Sequence, residues 1–424
     1  MTDIQLRTIR TGGTVDAAVQ VPPSKSYTNR ALIVGALAEG QTTLRSPSLS
    51  DDSHYLVQAL QHFGIDINRI GDDLEITGTS GNLHAPSKEI YVGNAGTSMR
   101  FLTTLACIAH GETIITGDEQ MQKRPIQDLL DALRSAGIRC SSNDGFPPVK
   151  ISGGNFPGGA ILINATVSSQ FVSSILLCAP YAKHPVSLQI KGKLSSLPYV
   201  DMSLHVMRSF GATINFIEPS IYKVGNLDHY LGQSFQIEGD ASSASYFFAA
   251  AAITHGRVTI DNLTTDSLQG DIKFLEILKQ MGCTVIHGEN MIEVRGNKLF
   301  GIEIDMNDLP DCVPTLAIVA AFAETPTTIR NVAHLQFKES NRLTALATEL
   351  TKMGAKVELY EDGITIKPHL LHGAQIETYN DHRMAMSFAV AGLQVPDVTI
   401  VNPSCVSKSF PNFWDEFSKL ERME

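Results

Sequence analysis

The chain has 424 residues, of which 43% are hydrophobic and 18% charged, with a formal net charge of −11. That length exceeds what one hydrophobic core ordinarily serves, so two domains are expected. The acidic balance argues against a general nucleic-acid binder and leaves room for a local basic pocket.

The opening stretch MTDIQLRTIR lacks the apolar core of a signal peptide, and no apolar run reaches membrane-spanning length, so a cytoplasmic protein without a membrane partner is expected. Six cysteines (Cys107, Cys140, Cys178, Cys283, Cys312, Cys405) are scattered without CxxC or CxxH spacing, which reads as reduced packing residues. No HExxH or paired-cysteine pattern suggests a metal.

In chain order, the first strong element is VPPSKSYTNRALIVGALAEG, Val21 to Gly40. Its two prolines keep the approach extended, and Ser24 is placed to cap a helix. Beyond Arg30 the helix has almost no polar face, so its body must be buried while its start carries Lys25, Ser26 and Arg30. Free N–H groups, a hydroxyl and two cations at a helix start suit a phosphate or carboxylate.

A phrase then recurs: QALQHFGIDI, DALRSAGIRC, HVMRSFGATI, EILKQMGCTV and TELTKMGAKV. Each reads as the end of an amphipathic helix, a glycine and a β-like run. The glycines are Gly64, Gly137, Gly211, Gly282 and Gly354, and their near-constant spacing marks an internal repeat.

Upstream of each phrase a polar turn opens an Ala-rich helix, six in all: PSKSYTNRALIVGALA, GNAGTSMRFLTTLACIA, VSSQFVSSILLCA, GDASSASYFFAAAAI, LPDCVPTLAIVAAFA and NDHRMAMSFAVAGL. Each unit thus reads as buried helix, strand, surface helix and hairpin. The sixth runs out after NFWDEFSKL, and residues 4–21 read as its missing hairpin. The expected organisation is therefore two similar α/β domains, one over 22–238 and the other over 239–424 completed by 1–21. A continuous solenoid is the competing arrangement, which a closing N-terminal hairpin disfavours.

If the six buried helices start in related directions, their polar starts act together. These starts hold Lys25, Ser26 and Arg30; Asn94, Gly96, Thr97 and Arg100; Ser168, Ser169 and Gln170; Asp240 and Ser242; Asp311; and Asp381, His382 and Arg383. Near the surface-helix starts lie Asp51, Asp52, Arg124, Ser196, Tyr199, Lys338, Glu339, Arg342 and Lys408. So many cations in an acidic chain point to more than one bound anion, although Arg100 and Asp52 would equally serve internal ion pairs, and Ser242 a cap.

KSYTNR, GNAGTSMR, KRPIQDLLDAL, SSQF, SLPYVD, LPD, KESNR, NDHRMAM and KSFPNFW, in this order over nearly the whole chain, resemble the enolpyruvyl transferase family. The resemblance implies two similar domains, each of three βαβαββ repeats, in the inverse α/β barrel-like fold of that family. It implies transfer of the enolpyruvyl group of phosphoenolpyruvate to the 5-hydroxyl of shikimate 3-phosphate, in aromatic amino-acid biosynthesis. No cofactor or metal would be needed, and a monomer with small-molecule substrates and no nucleic acid is expected.

Carried over by matching motif, Asp311 would be the base, Glu339 the acid and Lys25 a contact to both substrates. Ser26, Arg30, Ser168, Ser169, Ser196, Tyr199 and Lys338 would hold shikimate 3-phosphate. Gly96, Arg124, Gln170, Arg342, Arg383 and Lys408 would hold phosphoenolpyruvate, and Asn94 and His334 are further candidate substrate-binding residues. Glyphosate would take the phosphoenolpyruvate position beside Gly96.

Three positions depart from the family's usual pattern: His334 replaces a common asparagine facing the shikimate hydroxyls, Leu197 a frequent lysine and Phe101 a frequent proline. The sister transferase acting on a UDP-amino sugar is the alternative reading. It typically carries a reactive cysteine in a mobile loop, and Cys107 and Cys178 instead sit inside apolar helices.

Overall fold

The computed structural model describes residues 5–226, 229–289 and 291–421. The chain is mixed α/β and divides into two compact units, Pro23–Ile237 and Met1–Pro22 with Glu238–Glu424. Of the opening stretch read for targeting, residues 1–4 lie outside the described residues. Among the described residues no helix is long and apolar enough to cross a membrane.

Among the described residues twelve α-helices alternate between interior and surface. In chain order they are α1 (Lys25–Leu37), α2 (Asp51–His62), α3 (Gly96–Ile108), α4 (Gln127–Ser135), α5 (Ser169–Cys178), α6 (Leu197–Ser209), α7 (Ala241–Thr254), α8 (Phe274–Gln280), α9 (Val313–Ala321), α10 (Arg342–Lys352), α11 (His382–Gly392) and α12 (Phe413–Ser418). The odd-numbered helices are almost wholly buried, as their lack of a polar face requires.

Within Pro23–Ile237, helices α1, α3 and α5 pack on one another and build one core. In the other unit α7, α9 and α11 do the same. Hydroxyls about one repeat apart meet between these helices: Ser245 Oγ lies 3.1 Å from Thr315 Oγ1, which lies 3.5 Å from Ser387 Oγ. Thr104 bonds Ser174 in the same way in the first unit. The repeat seen in sequence is thus a repeat in space within each unit.

The five phrase glycines follow the caps of α2, α4, α6, α8 and α10, all with φ between 88° and 116°. At Gly64 the glycine N–H donates to the Gln61 carbonyl at 2.9 Å and the next residue, Ile65, reaches Leu60 O at 3.2 Å; the other four repeat this pair of bonds. This left-handed helix stop satisfies the last carbonyls and turns the chain into the following strand, and glycine adopts it without a Cβ penalty.

The structure adds one strand to each unit and corrects one reading. Each buried helix is served by a short strand that pairs parallel with the strand after the helix, as Gly159–Asn164 does with Val186–Lys191 across α5. In five of the six repeats the surface helix and an antiparallel hairpin follow, giving βαβαββ. For the first unit this leading strand is Ser234–Gln236, from the far end of Pro23–Ile237.

The expected N-terminal hairpin does not form. Leu6–Thr8 pairs antiparallel with Thr399–Val401 in the sixth sheet, whereas Asp16–Val19 pairs parallel with Arg257–Ile260, the strand that follows α7, and so supplies the leading strand of that repeat. The sixth sheet therefore has three strands, and the N-terminal segment serves two repeats. The Gly12–Gly13 pair, which imitates a hairpin turn, instead lets the backbone pass the end of α12: a Cβ on Gly12 would stand 2.4 Å from Leu420 O.

Candidate active site

In Pro23–Ile237 the polar starts of α1, α3 and α5 are in place. Ser24 caps α1, its Oγ accepting from Tyr27 N at 3.4 Å. Lys25 Nζ pairs with Asp52 Oδ2 at 3.0 Å, so Asp52 holds the lysine at the helix start.

Arg30 is buried, and among the described residues no carboxylate pairs with its guanidinium. Its Nε donates to Ser203 Oγ, one Nη to Ser26 O and the other to Tyr199 O, each at 2.8 Å. The rings of Phe101 and Tyr199 lie 5.5 and 5.8 Å from the guanidinium carbon. Burial pushes the Arg30 pKa down to about 10, so the group remains charged at neutral pH with two of its five N–H groups left for an anion.

Sequence reasoning missed Ser203, Ser173 and the role of Phe101. Ser203 Oγ also donates to Ser173 Oγ at 2.8 Å, which fixes the acceptor that holds Arg30. The available signal was a serine four residues after Tyr199, on the same face of α6.

At the α3 start, Arg124 Nη1 donates to the carbonyl of Asn94 at 3.3 Å and to its Oδ1 at 3.2 Å, and Asn94 Nδ2 donates to Gln120 Oε1 at 2.7 Å. Arg100 reaches back to Gly96 O and across to Pro125 O, both at 3.1 Å, tying the glycine loop to the segment carrying Arg124. Ser168 caps α5 through Gln170 N, Ser169 is buried beside it, and Gln170 Nε2 donates to Thr97 Oγ1 at 3.3 Å. Ser196 opens α6 with φ 57°.

The other unit gathers a denser cluster around Arg342, which is 1% exposed. Its Nε donates to Asp381 Oδ2 at 2.8 Å, Nη1 to Asp311 Oδ1 at 2.9 Å and Nη2 to Glu339 Oε2 at 2.6 Å. Arg383 Nη2 reaches the other Asp311 oxygen at 2.7 Å, and its Nη1 donates to Tyr246 OH at 3.2 Å. Lys338 Nζ stands 3.6 Å from Asp311, and Lys408 Nζ 3.9 Å from Glu339. Among these described groups, four cations thus face three carboxylates in a largely buried setting.

Burial alone would raise the Asp311 pKa, but Arg383, Lys338 and Arg342 outweigh it and hold the carboxyl well below the usual range. Asp381 caps α11 by accepting from Arg383 N at 3.0 Å. His382 is buried, its Nδ1 3.6 Å from Asp381 Oδ1, and His334 is buried in the short turn Ala333–Phe337 just before Lys338. Asp240 caps α7 through Ser243 N at 2.7 Å and Ser242 bonds Asp271, so these two have local structural work.

All six cysteines are free, and burial pushes each thiol up, Cys283 to about 11 and Cys405 to about 12. None is a reactive thiolate of the kind the sister transferase carries.

A sequence profile of the family described as EPSP synthase (3-phosphoshikimate 1-carboxyvinyltransferase) matches residues 9–417. The chain is 43% identical over 411 residues to the 3-phosphoshikimate 1-carboxyvinyltransferase of Trichormus variabilis, covering 96% of each. It is 43% identical over 417 residues to that of Methanospirillum hungatei, again covering 96% of each. Among solved structures, EPSP synthase from Acinetobacter baumannii matches with a TM-score of 0.81 and 29% identity, over 99% of this chain and 98% of that one. With a profile match across almost the full length and relatives of this identity, the chain belongs to the EPSP synthase (3-phosphoshikimate 1-carboxyvinyltransferase) family.

Proposed function

We propose that the chain transfers the enolpyruvyl group of phosphoenolpyruvate to the 5-hydroxyl of shikimate 3-phosphate, releasing phosphate, as a step of aromatic amino-acid biosynthesis. The hydroxyl oxygen adds to the carbon bearing the phosphate while the neighbouring methylene takes a proton. The tetrahedral adduct then loses phosphate from that carbon and a proton from the new methyl group, which restores the double bond.

Such a reaction needs a group to receive the hydroxyl proton and another to serve the methylene. Asp311 takes the first role and Glu339 the second, with Lys25 a contact to both substrates. The observation that carries the reading is that Asp311 and Glu339 share one buried guanidinium, Arg342, inside a ring of further cations.

Arg342, Arg383 and Lys408, with Arg124, Asn94, Gly96 and Gln170, are assigned to phosphoenolpyruvate. Arg30, with Ser26, Ser168, Ser169, Ser196, Tyr199, Lys338 and His334, is assigned to shikimate 3-phosphate. Arrival of phosphoenolpyruvate at Arg342 and Arg383 would draw these cations from Asp311 and raise its basicity when a base is needed.

The UDP-amino sugar acceptor is not favoured by the family match or by the buried, poorly acidic thiols. The reading takes the chain as a cytoplasmic monomer without a nucleic-acid partner, the last supported by its net charge of −11. Phosphate release measured with both substrates together and with each alone tests it: release only with both is expected.

A further inference from the structure

Helix α10 carries Arg342 at its start and Glu349 two turns later on the same face. Glu349 lies on what the sequence marks as a surface helix, yet it is fully buried. Its carboxylate accepts from Tyr379 OH at 2.7 Å, from the backbone N–H of Glu377 at 3.1 Å and from Lys352 Nζ at 2.7 Å.

The segment it grips is unusual. Tyr379 and Asn380 are consecutive non-glycine residues with φ 54° and 55°, a conformation L-residues resist and keep only where their surroundings over-determine it. Asp381 follows directly, accepting from Arg342 Nε at 2.8 Å and capping Arg383. Asn380 Oδ1 also accepts from Asn402 Nδ2 at 3.1 Å, and Asn402 opens the turn Pro403–Lys408 that ends at Lys408.

We propose that Glu349 and Tyr379 form a positioning bracket for the phosphoenolpyruvate-binding arginines. Helix α10 holds the 377–381 turn at two points, Glu349 on Glu377 and Tyr379 and Arg342 on Asp381, and so fixes the left-handed turn from which Arg383 departs. Neither Glu349 nor Tyr379 touches substrate in this scheme; each acts through the placement of Asp381 and Arg383. The inference rests on the assignment of Arg342 and Arg383 to phosphoenolpyruvate.

The test is steady-state kinetics on the full chain for Tyr379→Phe, Glu349→Gln and Arg383→Lys, with thermal unfolding measured alongside. Tyr379→Phe removes one hydroxyl from a residue 40% exposed, so the fold should survive even if Glu349→Gln does not. The KM for phosphoenolpyruvate should rise about threefold to tenfold in Tyr379→Phe and about tenfold or more in Glu349→Gln, with the KM for shikimate 3-phosphate unchanged. A merely structural role would lower the unfolding temperature and leave that KM alone. An unchanged KM for phosphoenolpyruvate in Tyr379→Phe, with Arg383→Lys raising it, overturns the bracket by itself. An unchanged KM in Arg383→Lys as well overturns the assignment beneath it, and the bracket with it.

Discussion

Gly96 and the guanidinium of Arg124 stand so close that a β-carbon on the glycine would lie 2.6 Å from Nη2 and 2.8 Å from both Cζ and Nη1. Gly96→Ala therefore displaces Arg124 from Asn94 before it meets any ligand. A penalty of about 1 to 3 kcal/mol, roughly tenfold to a hundredfold, is expected in the KM for phosphoenolpyruvate, with weaker competitive inhibition by glyphosate. Inhibition series at several phosphoenolpyruvate concentrations check this, and equal constants in the two proteins would refute it.

Arg30 is held by three neutral acceptors in a planar fork, a geometry lysine cannot copy. Arg30→Lys should raise the KM for shikimate 3-phosphate by roughly tenfold to a hundredfold and leave that for phosphoenolpyruvate within about twofold. Parallel changes in both constants would show that the side chain serves the fold of the unit instead.

Asp311→Asn keeps shape and removes the base, so kcat should fall about a hundredfold or more, with the KM for phosphoenolpyruvate unchanged or lower. A variant with near-normal turnover would exclude Asp311 and leave Lys25 as the next candidate base.

The same variant reports on stability. The Asp311 pKa is depressed in the folded state, so its contribution is fully present above the unfolded value of about 4 and is lost as pH falls through the folded pKa. The difference in urea midpoint between wild type and Asp311→Asn should stay constant from about pH 7 to 5 and narrow only below about pH 4. A difference that shrinks already between pH 7 and 5 would contradict the cation-stabilised carboxylate.

The repeat glycines differ in what surrounds them. Gly64 has φ 88° and open space, so Gly64→Ala should cost about 1 kcal/mol from backbone strain alone. Gly282 has φ 116° and would place its Cβ 2.5 Å from Lys298 O, so Gly282→Ala should cost about 2 kcal/mol more. Chemical denaturation of the pair measures the gap, and equal losses would mean that the Lys298 contact relaxes freely.

The repeat was legible because it rests on strong local signals: an apolar helix with no polar face, and a glycine where the backbone must turn left-handed. The leading strands were not, since Ile90–Tyr91 and Gln375–Ile376 are two residues long and carry no alternation to read. The N-terminal segment misled because paired glycines serve close backbone passage as well as hairpin turns, and only tertiary contact with Leu420 distinguishes the two. The Arg342 cluster follows from residues that motif order had already singled out. Glu349 meets the 377–381 turn and Phe101 meets Arg30 through helix faces that become partners only after folding, so no local pattern marks them.

Phosphate release by the purified chain tests the enolpyruvyl transfer most directly. With phosphoenolpyruvate present, the account predicts stoichiometric phosphate release and enolpyruvyl product when shikimate 3-phosphate is added, and none when UDP-N-acetylglucosamine replaces it. Turnover with the UDP-sugar, or no turnover with shikimate 3-phosphate, would contradict it.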